Sequence, residues 1–96
     1  MRGVWVAVFV FAASAAAANP VTDACLAAGR AADPALCSCI GAAATITLSE
    51  RDQRRAAGFF RDPQAAQDMR RSDRSQDERF WQRYVSFTQI AEDLCS

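Results

Sequence analysis

The chain has 96 residues, enough for one domain, and its 11 arginines balance 11 acids to a formal net charge of zero. That balance supplies no global field for nucleic acid or an anionic membrane. Histidine is absent, which removes the commonest general base and metal ligand, and with them Ser/His/Asp and Cys/His catalysis.

Residues 1–18 differ from the rest. Arg2 is their only charge, residues 4–13 read VWVAVFVFAA, and SAAAA follows. A basic n-region, an apolar h-region and a small-residue cleavage region make a secretory signal peptide. The apolar run of 15 residues falls short of the about 20 that a membrane span needs. Ala16-x-Ala18 places the expected cut before Asn19, and no cysteine follows directly to accept a lipid. The expected mature domain is 19–96, periplasmic or secreted, with no stable membrane insertion after cleavage. Loss of the leader takes Arg2 with it, leaving 78 residues with ten arginines against 11 acids, a net charge of −1.

Helix punctuation divides 19–96 into five segments. Asn19-Pro20, Asp33-Pro34 and Asp62-Pro63 each set a capping side chain before a proline at the first helical position. Ser49-x-x-Asp52 resembles a capping box, and Ser75-x-x-Glu78 fits its full pattern. Gly29 stands where a glycine would end the first helix. The expected helices span 20–28, 34–48, 50–60, 63–71 and 76–94. RRSDR at 70–74 reads as a solvated connector. The expected fold is all-α: a small disulfide-stapled bundle of about four to five helices.

The core candidates follow helical spacing. The second segment offers Leu36, Cys39, Ile40, Ala43 and Ile46, with alanines and Gly41 permitting close approach. Phe59 and Phe60 end the third segment and close the core. On the last, Phe80, Trp81, Tyr84, Phe87, Thr88, Ala91, Leu94 and Cys95 form one stripe. Gln82, Arg83, Ser86, Gln89, Glu92 and Asp93 form the opposite face. At about 2 kcal/mol for each buried aromatic, the last helix organises the core.

Four cysteines in a short exported chain read as a disulfide framework. The physical need is that a chain this short buries only about 60% of the surface it exposes when unfolded. Cys37 and Cys39 lie two apart on a helix, where side chains diverge by about 200°, so they do not bond each other. One takes Cys25 and the other Cys95. Reflection about the first turn favours Cys25–Cys37, leaving Cys39–Cys95. A one-residue shift of that turn gives Cys25–Cys39 with Cys37–Cys95. The short bridge contributes about 3 kcal/mol and the long one about 4.

Cys37-Ser38-Cys39 resembles the Cys-x-Cys of plant lipid-transfer and seed-albumin helical scaffolds. Those scaffolds carry eight cysteines including an adjacent pair, so the resemblance implies helix stapling and not lipid binding. Thiol exchange and soft-metal binding compete for the same pair. Arg51, Arg54, Arg55 and Arg61 with Glu50, Asp52 and Asp62 read as a solvated face with local ion pairs, or a surface for an acidic partner. Asp77 and Glu78 suit a helix N-terminus.

No catalytic residue, metal site or cofactor is expected, and no nucleic-acid partner. The expected function is a non-catalytic binding, accessory or chaperone-like factor of the cell envelope with a protein partner. The alternatives are a thiol-redox or soft-metal protein using Cys37 and Cys39, and a carrier of a small apolar ligand along Phe80-Trp81-x-x-Tyr84.

Overall fold

Proline-led helix starts and side-chain caps divide the chain into helices, and no β-type alternation competes with them. The computed structural model describes residues 19–29 and 33–96; the expected leader at 1–18 and the centre of the first turn at 30–32 lie outside the described residues. Five helices are present: α1 (Pro20–Ala28), α2 (Pro34–Thr47), α3 (Glu50–Arg61), α4 (Pro63–Arg71) and α5 (Ser75–Cys95). Among the described residues there is no strand.

The caps account for four of the five starts. Asn19 Oδ1 accepts from the Val21 and Thr22 N–H groups at 2.9 and 3.1 Å. Asp33 accepts from Ala35 at 3.0 Å, Ser49 from Asp52 at 3.1 Å and Asp62 from Gln64 at 3.2 Å. Each cap satisfies orphan donors of its first turn and contributes about 1 kcal/mol. Gly29 ends α1 at φ 80°, a left-handed conformation that favours glycine. The capping box expected at Ser75 does not form. Arg74 is the N-cap residue of α5 and makes no side-chain cap, and Ser75 is already the first helical residue, one position past the cap.

α1 packs on both α2 and α3, α5 packs along α2, and α4 bridges α3 to α5. The buried cluster comprises Val21, Ala43, Ala44, Leu48, Ala56, Phe59, Phe80 and Phe87. Small residues let α1 approach α2 closely. Asn19 Nδ2 donates to the Gly41 carbonyl at 2.9 Å and to Thr45 Oγ1 at 3.1 Å, and Thr22 Oγ1 donates to the Cys37 carbonyl at 3.3 Å. A Cβ at Gly41 would land on the Thr22 hydroxyl and 3.1 Å from Thr22 Cβ.

Two expected apolar positions lie outside the core. Leu94 is 54% exposed. The inward line of α5 steps through Phe80, Tyr84, Phe87 and Ala91 to Cys95, which leaves Leu94 about 100° round the helix. Ile46 is 67% exposed. On the face read from sequence Ala43 is fully buried and Ile40 packs against the core; α2 buries a second line beside it, Cys37, Gly41, Ala44 and Leu48, and Ile46 lies outside both. Leu36, Cys39 and Ile40 are half-buried, as are Phe60, Trp81 and Tyr84.

Cys25–Cys37 joins α1 to the start of α2, and Cys39–Cys95 joins α2 to the end of α5. Their Cα separations are 5.6 and 5.8 Å, within the span of a disulfide. Among the described residues no cysteine is free, and no helix is long and apolar enough to cross a membrane.

Candidate functional site: an apolar groove and an arginine cleft

α3 meets α5 through long side chains centred on Phe80. Arg55 and Phe59, one turn apart on α3, both reach it: the guanidinium carbon lies 4.7 Å from the ring centroid, and the Phe59 ring packs edge-on at 6.0 Å. Phe59 also meets Tyr84 edge-on at 5.0 Å, and Trp81 lies 5.2 Å from Tyr84. Such geometries favour the ring quadrupoles beyond simple burial. On the Phe59 and Tyr84 side of this cluster lies an apolar groove; on the Arg55 side lies a polar cleft.

The groove consists of two cavities that share Leu36, Ile40 and Phe60. One, of about 330 Å³, extends to Tyr84, Phe87 and Ala91. The other, of about 290 Å³, extends to Phe59 and Pro63. Thr88, Glu92 and Ser96 add polar groups to the first cavity. Burial raises the Tyr84 hydroxyl above its ordinary value of 10.0, so it stays a neutral donor and acceptor. It makes no hydrogen bond among the described residues. The Cys39–Cys95 bridge borders the groove, since Cys95 belongs to its lining.

The cleft, of about 520 Å³, lies between the first turns of α3 and the first half of α5. Two buried carboxylates stand behind it, Asp52 and Asp77. Asp52 accepts from Arg83 Nε at 2.6 Å and from its Nη2 at 3.2 Å, a bidentate pair between α3 and α5. Those hydrogen bonds raise the guanidinium pKa, so Arg83 is fixed as a cation. Asp77 accepts from Ser72 Oγ at 2.7 Å and from Arg55 Nη2 at 3.0 Å. The Ser72 hydrogen bond first, and the Arg55 one next, hold its carboxyl below the ordinary 3.8. Arg74 adds a weaker attraction at 3.9 Å.

Sequence reasoning placed Asp52 in a capping box, Asp77 at a helix start and Arg83 on the face of the last helix opposite the aromatic stripe. The structure buries the two carboxylates, and Arg83 reaches Asp52 from that exposed face. One signal was available: Asp77 lies three residues before Phe80 and Asp52 four before Ala56, each on the same helix face as a core residue. Arg54 does find its local partner, Glu50, at 3.3 Å on the surface. Among the described residues no group of three potential ligands gathers to hold a metal, and Cys37 and Cys39 are both occupied in bridges. No protein-family model, curated protein or solved structure matches this chain.

Proposed function

We propose that the protein is an exported, non-catalytic binding factor of the cell envelope or extracellular space that receives apolar side chains of a partner protein in its groove. The groove itself carries the reading. In a domain this small, large apolar side chains are needed first for the core. Here Leu36, Ile40, Phe60 and Tyr84 are half-exposed around one continuous depression. A contiguous apolar patch rimmed by polar groups is the usual anatomy of an interaction site. The Tyr84 hydroxyl, which makes no hydrogen bond among the described residues, supplies one that a partner backbone can complete.

Export is supported by the tripartite leader and by the bridged cysteines, which persist in oxidising compartments. The near-neutral mature charge argues against a nucleic-acid partner. With all four sulfurs in bridges, no observation favours the thiol-exchange or soft-metal alternative.

The test uses two baits, the mature disulfide-bonded protein and its Ala91→Arg variant, whose long side chain fills the groove. Melting curves verify that both are folded at the temperature of capture. Affinity capture from the native envelope and medium should retain a partner on the first bait and lose it on the second. Equal capture by both would overturn the reading. Native mass spectrometry of the purified protein runs beside it. A retained small apolar molecule displaced by Ala91→Arg would assign the groove to ligand carriage instead.

A further inference from the structure

We infer that the cleft between α3 and α5 is a binding site for a phosphate group, held by Arg51 and Arg79. Four guanidinium groups, those of Arg51, Arg55, Arg79 and Arg83, line this one cavity with Asp52 as the only acid among its lining residues. The chain as a whole has no net charge, so the concentration is local.

The four arginines divide into two kinds. Arg55 and Arg83 are anchored: each is bonded to a buried carboxylate, and their guanidinium carbons lie 4.7 and 5.9 Å from the Phe80 ring centroid. Arg51 and Arg79 form no ion pair among the described residues. Each stands four residues before an anchored arginine, Arg51 before Arg55 on α3 and Arg79 before Arg83 on α5. Like charges at this spacing repel. The same repulsive pair therefore occurs on both walls of one cleft, and neither outer arginine has an acid four residues before or after it. Arg54 shows the contrast, since it takes Glu50 at that spacing. An anion between the walls relieves both repulsions together.

The geometry of the guanidinium selects the anion. Its planar fork matches carboxylate and phosphate oxygens two at a time. A carboxylate carries one charge and two oxygens, which one fork satisfies. A phosphate monoester or pyrophosphate end carries more charge and three free oxygens, which two forks on facing helices can share. Ser49, the N-cap of α3, also lines the cleft and brings the positive end of that helix to it. At about 520 Å³ the cavity exceeds a lone phosphate, so it leaves space for the group that bears it. This site is separate from the apolar groove and does not rest on the function proposed for it.

Calorimetric titration of the disulfide-bonded protein with inorganic pyrophosphate tests the site, with succinate as the carboxylate control. Sedimentation with phosphatidylcholine vesicles, with and without phosphatidic acid, tests a lipid headgroup as the source. Pyrophosphate should bind at one saturable site that added salt weakens. Arg51→Gln and Arg79→Gln should each weaken it about tenfold, the worth of one charge-assisted contact. Should the glutamine variants melt early, Arg51→Lys and Arg79→Lys keep the charge, lose the fork and should still bind more weakly. Retention on phosphatidic acid vesicles alone, lost in the same variants, supports the phosphate site with a lipid as its source. Binding of neither probe, unchanged binding in the variants, or succinate binding as tightly as pyrophosphate would overturn the inference.

Discussion

A single carboxylate shows how this small domain joins distant parts of its chain. Asp77 sits in the first turn of α5, yet its partners are Ser72 in the preceding connector and Arg55 on α3. Both favour its charged form, Ser72 the more, so its folded pKa lies below the ordinary 3.8. The sign follows from linkage. A depressed carboxyl contributes stability that is fully present above the unfolded value and is lost as pH falls through the folded one. Urea denaturation should therefore show stability declining below about pH 4. Asp77→Asn should lower stability at neutral pH and flatten that acid limb; an acid limb as steep as wild type would refute the role given to Asp77. The residue was legible in the sequence as an N-terminal acid, because helix starts favour negative charge. Its inward contacts were not legible, because Ser72 and Arg55 reach it only once α3 and α4 have been placed.

At the scale of elements, the contact of α1 with α2 is set by a missing side chain. Alanine in place of glycine gains about 1 kcal/mol of helix propensity. Overpacking a tight contact costs about 1–3 kcal/mol. A Cβ on Gly41 would meet the Thr22 hydroxyl, Thr22 Cβ at 3.1 Å and Asn19 Cγ at 3.2 Å, and Asn19 is itself the cap of α1. The clash outweighs the propensity, so Gly41→Ala should reduce unfolding free energy by about 1 kcal/mol in chemical denaturation. Adding Thr22→Ala, which removes the hydroxyl, should recover much of the loss. A stabilised Gly41→Ala protein would mean that the two helices are farther apart. The sequence signalled a close approach through Gly41 and its neighbouring alanines. It carried the α2 face one position too far, to Ile46, which is exposed, whereas Ala43 on that face is fully buried and Ile40 packs against the core. Tight α1 packing adds a second inner line of small residues, Gly41 and Ala44.

For the molecule as a whole, two bridges divide the covalent restraint unequally. Cys25–Cys37 closes a separation of 12 residues and Cys39–Cys95 one of 56. In the chain-entropy account the first contributes about 3 kcal/mol and the second about 4. The longer bridge also holds α5 against α2, and with it the Tyr84 side of the groove. Paired replacement of Cys39 and Cys95 by serine should lower the melting temperature more than paired replacement of Cys25 and Cys37. It should also expose the single tyrosine, read as a tyrosinate titration returning toward 10.0 from its raised value. Equal melting of the two variants would show that the bridges act through local strain or packing and not through loop length.

The sequence by itself determined the helical class and each helix boundary to within one residue. Those depend on contacts within one turn: Asn19, Asp33, Ser49 and Asp62 cap helices that begin beside them, and prolines fix the first φ angles. The divergence of Cys37 and Cys39 is equally local, a consequence of helical rotation over two residues. Tertiary structure decided the exact edges of the inward faces and how they combine into the two candidate sites. Leu94 and Cys95 satisfy the same hydrophobic period; only the position of α2 assigns Cys95 to the bridge and Leu94 to the surface. Arg51 and Arg79 lie 28 residues apart and share a cleft only because Phe59, Arg55 and Arg83 bring α3 across α5 at Phe80. Local propensity acts over a few residues of chain, whereas a binding site is built from side chains that the packing of the whole domain brings together.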